Sequence, residues 1–220
     1  VLDLSVAFDL DGTLIDSAPE IHAAALDVLA AEGLPALDFE TVKGFIGRGV
    51  PDLIGRMLAH LGMPDPARQA RMAAAFTDGY EGRVSMTAVY PGAAAALAAL
   101  AARGAALGLC TNKPRAATEA VVAHFALGPF GAVIGGDSLA VKKPDPAALH
   151  ACLAALDRGR AVFVGDSEID AETAARAGVP FALFTEGYRR TPAEALAPAF
   201  AFADWADFPA ALAAYLRTSG

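Results

Sequence analysis

"VAFDLDGTLID", residues 6 to 16, joins two patterns that rarely meet. Three apolar residues, Val6 to Phe8, run into Asp9, and Leu10 alone separates that acid from a second, Asp11. An apolar run without alternation suits a strand buried on both faces, and such strands belong to parallel sheets covered by helices. Two carboxylates where that strand must end then lie at a sheet edge, where open α/β sheets bind their ligands.

The pattern recurs outward from this stretch. "AALGLC" precedes Thr111, "AVIGG" precedes Asp137, "AVFVG" precedes Asp166 and "PFALFT" precedes Glu186. Helical spacing fills the intervals near 92 to 103, 115 to 126, 146 to 157 and 168 to 177, with Gly104, Gly128 and Gly178 as stops. The Ala-rich tract "GAAAALAALAARGAA" keeps the same spacing and reads as helix. Strand alternating with helix predicts an α/β fold with a Rossmann-like doubly wound parallel sheet. The interval 17–86 breaks the rhythm with apolar positions at helical spacing, punctuated by Gly33, Gly47, Gly49, Gly62 and Pro64. It reads as a helical cap inserted into a core made of 1–16 and 87–220.

Composition sets limits on function. The chain has 220 residues, 55% of them apolar, which can bury a sizeable core. Its 17 basic and 25 acidic residues give a net charge of −8, which disfavours nucleic acid and anionic membranes as partners. Cys110 and Cys152 are too few for a disulfide framework, and no apolar run reaches the length that spans a bilayer. The expectation is a cytoplasmic protein, monomer or homodimer, acting on a small molecule.

The sheet edge would gather Asp9 and Asp11, Thr111 and Asn112, Lys142 and Lys143, and Asp166 and Asp170. Each has a plain structural explanation in isolation. Two acids after a strand make an Asx turn, "CTNKP" can cap a helix, paired lysines are usually solvated, and acids in "GDSEIDAETAA" suit a helix's first turn. Their co-location argues instead for chemistry. Acids without His or Cys companions suit a hard cation, Mg²⁺. Lys143, a Thr hydroxyl and the backbone amides of Gly12 and Thr13 would add an anion cradle. Metal, cradle and free carboxylate are what phosphoryl transfer needs. Asp9 would be the nucleophile, with its other oxygen on Mg²⁺, and Asp11 the general acid and base.

With "DLDGT" at 9–13, "TN" at 111–112, "KP" at 143–144 and "GDSEID" at 165–170, the chain resembles the haloacid dehalogenase superfamily over nearly its whole length. The resemblance implies an aspartyl phosphate on Asp9, proton transfer by Asp11, and Thr111 with Asn112 on the phosphoryl group. It implies Lys143 neutralising the phosphoryl oxygens, Asp166 binding Mg²⁺ with Asp9 and the carbonyl of Asp11, and Asp170 supporting that site. Dehalogenating and phosphonate-cleaving branches lack the second acid, which this chain has as Asp11. Sugar phosphomutases carry a His early in the cap, where this chain aligns Ile21, with His22 one residue beyond.

"LIDSAPEI", "FIGRGVPDLIGRML" and "VYPGAAAALAAL" resemble bacterial phosphoglycolate phosphatases most. That implies a small phosphorylated metabolite bearing a carboxylate, met by Arg48 between Gly47 and Gly49 in a closing loop, or by Arg56, with Lys43 a third candidate. Pyrophosphate, a nucleoside monophosphate, a small sugar phosphate and a mutase reaction are the alternatives. A receiver-type signalling module has no use for the helical insert, and a dinucleotide binder needs a GxGxxG that this chain does not have after its first strand.

Overall fold

The computed structural model describes residues 2–219. Along the chain run β1 (Leu4–Phe8), β2 (Ile15–Asp16), α1 (Ala18–Ala31), α2 (Phe39–Lys43), α3 (Val50–His60), α4 (Pro66–Tyr80), β3 (Ala88–Val89), α5 (Ala93–Ala102), β4 (Ala106–Cys110) and α6 (Arg115–His124). There follow β5 (Ala132–Ile134), α7 (Ala147–Leu156), β6 (Arg160–Gly165), α8 (Glu168–Ala177), β7 (Phe181–Phe184), β8 (Phe200–Phe202) and α9 (Phe208–Thr218).

Six strands form one sheet in the order β5-β4-β1-β6-β7-β8, and every neighbouring pair is parallel. The doubly wound α/β expectation holds. β1 is buried along its whole length, as its unbroken apolar run requires. The chain leaves β1 towards β4 and β5, then crosses back to β6 and continues the other way. That reversal makes the β1–β6 edge the topological switch point, so a crevice opens where Asp9 and Asp166 follow their strands.

One face of the sheet packs against α5 and α9, with Leu97, Leu100 and Leu212 in the core, and the other against α7 and α8 through Leu149, Cys152 and Ala174. The sequence reading assigns no element after Glu186, but β8 and α9 lie there. They carry Phe202 and Phe208, which with Trp205 between them pack around Phe8 and Phe184. The Trp205 indole also donates to the carbonyl of Thr13 at 3.2 Å, fixing the turn after β1.

Helices α1 to α4 enclose a separate apolar cluster that includes Leu29, Ile54, Met57 and Phe76. α4 starts on Asp65, whose carboxylate accepts from the amides of Ala67 and Arg68, and continues on Pro66, whose missing N–H costs nothing there. Two crossings connect this layer to the sheet: β2 going out and β3 coming back, paired antiparallel through Ile15 with Val89 and Asp16 with Ala88. Among the described residues, no helix is long and apolar enough to cross a membrane.

Candidate active site

The turn after β1 presents the first two acids in different directions. Asp9 is buried at the switch point, and Lys143 Nζ lies 2.9 Å from its Oδ1. That contact is an ion pair off hydrogen-bond alignment, since Oδ1 has no aligned donor. Asp11 turns towards the helical layer, where its Oδ1 accepts from Ser17 Oγ at 2.6 Å and from Lys113 Nζ at 3.1 Å. The amides of Gly12 and Thr13 do not form the expected cradle. Gly12 N donates to Ile15 O and Thr13 N to Leu10 O, because the tight turn that separates the two acids consumes them. The hydroxyl of Thr13 instead donates to Asp166 Oδ1 at 2.7 Å.

Asp166 follows β6 and Asp170 lies in the first turn of α8, both fully buried. Asp166 accepts one further hydrogen bond, from Tyr188 N to Oδ2 at 2.6 Å, which leaves lone pairs on both oxygens. Asp170 is far more occupied: Oδ1 takes Lys143 Nζ at 2.6 Å, while Oδ2 takes the amides of Asp166 and Ser167 and the Ser167 hydroxyl. Asp170 thus holds the lysine and the start of α8 in place.

One oxygen from each of Asp9, Asp166 and Asp170 lies within 4.8 Å of the others. Burial pushes the Asp9 carboxyl up to about 7; Lys143 opposes this, while Asp170 and Asp11 reinforce it. Burial, then the charges of Asp170 and Asp9, likewise hold Asp166 well above the carboxylate range. Lys143 is also costly to bury, yet Asp170 and Asp9 more than compensate, and its pKa is raised. Asp9 and Asp166 fit a hard divalent cation: their donors are all oxygen, Asp9 Oδ1 lacks an aligned donor, and the burial and neighbouring carboxylate charge that raise each group are what such a charge would offset.

Thr111 and Asn112 follow β4 and are buried beside Asp9. Both N–H donors of the Asn112 amide are engaged, to Gly47 O and to Lys143 O, each at 2.9 Å. The side chain therefore braces the Gly47 loop against the lysine loop and has no donor left for a phosphoryl oxygen. Lys142, next to Lys143, is half-buried, and its ammonium lies against Gly49.

Two recesses meet at Asp9 and Asp11. The first is mostly apolar, walled by Ile21, Val50, Leu53 and Phe76, with Tyr80 and Lys113 at its polar end. Ile21 faces it, whereas His22 packs on Phe39 and shares a 3.0 Å hydrogen bond with Leu37 O, away from the site. The second is lined by Arg48, Arg56, Asp166, Glu168, Tyr188 and Arg190. Arg56 is engaged by Asp52 one turn earlier at 2.9 Å, and Arg190 donates to Gly44 O at 2.8 Å. Gly49 approaches the Asn112 carbonyl with φ +85°, so a side chain there would crowd the core. Lys43 lies outside both linings, its Nζ 5.3 Å from the centre of the Tyr188 ring.

Sequence reasoning missed two residues. Lys113 is buried, and its Nζ sits 2.5 Å from Tyr80 OH and 4.3 Å from that ring's centre, besides the contact to Asp11. Burial alone would lower its pKa, but Asp11 and Tyr80 raise it, so it is a cation. The only signal was its place directly after Thr111 and Asn112. Tyr188, beyond β7, bonds to Asp166 and to the start of the helical layer, and no local pattern marks it.

Carboxylates gathered at the switch point, with a buried lysine between two of them, place the molecule among the α/β enzymes that act on small anionic, oxygen-rich substrates. A family model described as haloacid dehalogenase-like hydrolase matches residues 5–178, and the chain belongs to that family. Phosphoglycolate phosphatase of Cereibacter sphaeroides (strain ATCC 17029 / ATH 2.4.9) is 52% identical over 194 residues, spanning 87% of this chain and 89% of that protein. The crystal structure of a predicted phosphoglycolate phosphatase from Haemophilus somnus 129pt superimposes with a TM-score of 0.84 at 28% identity, covering 94% of this chain and 97% of that one. An Asp-to-Asn mutant of CbbY from Rhodobacter sphaeroides, solved with xylulose-(1,5)-bisphosphate, gives a TM-score of 0.80 at 26% identity, covering 92% of this chain and 95% of that one. Within its family this chain is a phosphatase.

Proposed function

We propose that the chain is a Mg²⁺-dependent phosphomonoesterase that converts 2-phosphoglycolate to glycolate and phosphate through an aspartyl phosphate on Asp9. The observation that carries this reading is the split of two near-adjacent acids. Asp9 lies buried against Lys143 and Asp166, while Asp11 turns to Ser17 and Lys113. Two such different surroundings support giving the phosphoryl group to one carboxylate and the protons to the other.

In the first step an Asp9 oxygen attacks phosphorus as the ester P–O bond breaks. Both hydrogen bonds to Asp11 fall on Oδ1, so Oδ2 is the oxygen that gives a proton to the departing alkoxide. Water then attacks the phosphorus of the acyl phosphate, Asp11 takes its proton, and the bond to Asp9 breaks. Lys143 neutralises charge on the transferring group throughout, and Thr111 adds a hydroxyl donor beside it. A bound Mg²⁺ would be held by Asp9, Asp166 and the Asp11 carbonyl, with Asp170 in support, and would supply further neutralisation of the phosphoryl oxygens.

We read residues 17–86 as a cap on a core of 1–16 and 87–220, moving about β2 and β3 and closing the Gly47–Gly49 loop over the site. Support for phosphoglycolate comes from the names of the relatives and from the cationic residues in both recesses. A mutase reading loses support because Ile21, and not His22, faces the site. Cytoplasmic residence accords with the soluble substrate. A panel of phosphate esters assayed with Mg²⁺ and with EDTA tests the proposal; turnover surviving in Asp9→Asn, or in EDTA, would refute the mechanism.

A further inference from the structure

The first recess has walls of aliphatic and aromatic side chains, and Lys113 is the only cation among the described residues lining it. A buried ammonium in such surroundings is costly unless its donors are paired. Asp11 Oδ1 at 3.1 Å and Tyr80 OH at 2.5 Å account for two of its three N–H groups. The contact with Asp11 also fixes where Lys113 stands in the reaction. On the mechanism above Asp11 faces the departing ester oxygen, so the ammonium paired with it flanks the leaving group, whereas Lys143 pairs with Asp9, where the phosphoryl group transfers.

Resting on the phosphoglycolate reading above, we propose that Lys113 recognises the carboxylate of the leaving group. The third N–H takes a carboxylate one methylene from the ester oxygen, the apolar walls keep water from competing, and Tyr80 at the end of α4 holds the ammonium in line. Substrates are then short phosphate esters bearing an acid next to the reacting oxygen. A neutral analogue would leave a buried cationic donor unpaired, and sites built in that way reject the analogue strongly. Arg48 and Arg56 line the other recess, with Asp166 and Glu168, and neither lines the apolar one that holds Lys113.

The test compares 2-phosphoglycolate with 2-hydroxyethyl phosphate, in which an alcohol replaces the acid. Wild type should prefer the acid in kcat/KM by at least about a hundredfold. In Lys113→Met that preference should fall to within a few-fold, whatever common factor both substrates lose through Asp11, and Lys113→Arg should restore part of it. Equal losses on both substrates, or a preference that persists in Lys113→Met, would overturn the proposal while leaving phosphoglycolate as substrate. A wild type that hydrolyses both esters equally would instead overturn the substrate reading and the role of Lys113 with it. A measurement without a variant guards against misfolding: glycolate should inhibit the wild type and ethylene glycol should not, and equal inhibition would count against Lys113.

Discussion

The hydroxyl of Tyr188 donates to Oδ1 of Asp16 at 2.7 Å and accepts from the amides of Ser17 and Ala18 at 2.8 and 2.9 Å. Its own amide donates to Asp166 at 2.6 Å. One side chain therefore joins the strand that leaves the core, the amino end of α1 and a carboxylate of the proposed metal site. The phenol also satisfies N–H groups that begin a helix and have no partner within it. Movement of the helical layer about β2, as proposed for a cap, would break these bonds and pull on the residue whose amide holds Asp166.

Tyr188→Phe keeps the ring and removes that link. Asp16 loses a donor and the Ser17 amide its acceptor in a half-buried place, while the Ala18 amide keeps Asp16 Oδ1 at 3.2 Å, so the change should destabilise the protein by about 1–3 kcal/mol. Amide exchange at residues 15 to 18 should quicken more than exchange in α9. Urea unfolding with hydrogen exchange checks both, and unchanged exchange at the hinge would show that the phenol does not hold it.

Strands and their trailing acids were legible because an unbroken apolar run has few other homes than a covered parallel sheet, and its end fixes where Asp9 and Asp166 stand. Lys143 was legible through Pro144 and the acids it must face. β8 was not: three residues, "FAF", carry no period, and their burial depends on Trp205 and Phe208 folding back onto Phe184. The error over Gly12 and Thr13 has a related cause. Composition shows that a turn has amides but not that its own carbonyls will use them. Asn112 was placed correctly and its partners misjudged, since Gly47 comes from 65 residues away. Lys113 and Tyr188 are the extreme case, because their meaning exists only once α4 and β2 are beside them.

Asp9 gives a pH dependence of definite sign. Its pKa rises from 3.8 to about 7 on folding, so the folded chain binds more protons and the contribution of Asp9 to stability falls as pH climbs across that window. A divalent cation would bind the ionised form and offset the loss. The rise in Tm on adding Mg²⁺ should therefore be small near about pH 5 and grow up to about pH 8, with EDTA reversing it. A Mg²⁺ shift of equal size at both ends would mean that Asp9 does not bind the metal.

Gly12 has φ +87°, and a Cβ there would lie 2.5 Å from Asp166 Oδ2 and 2.8 Å from the Tyr188 ring. Gly12→Ala should displace Asp166 and strain the turn, costing roughly 1–3 kcal/mol. Mg²⁺ affinity should fall more than the stability loss alone explains, as isothermal titration would read. An unchanged metal affinity would remove Asp166 from the ligand set.

Arg48 lines the second recess, and among the described residues no ion pair engages it, whereas Arg56 is held by Asp52. If the Gly47–Gly49 loop closes over the phosphoryl group, Arg48→Ala should raise KM by about tenfold on acidic and neutral phosphate esters alike. The ratio between the two substrates should stay as in wild type, in contrast to Lys113→Met. A KM unchanged on both would exclude Arg48 from the closed site.

The division of labour between Asp9 and Asp11 makes the two chemical steps separable. An ester whose leaving group needs no proton, such as p-nitrophenyl phosphate, can transfer its phosphoryl group to Asp9 even when Asp11 is replaced by Asn. Hydrolysis of the acyl phosphate still needs a base for water, and Asn supplies none. Asp11→Asn should release a burst of nitrophenol near one equivalent per enzyme and then turn over at least about a hundredfold more slowly than wild type. With 2-phosphoglycolate, whose alkoxide does need the proton, the same variant should show no burst. Rapid-quench kinetics with labelled phosphate would place the label on Asp9. A burst of equal size with both substrates would mean that Asp11 does not act as the acid of the first step.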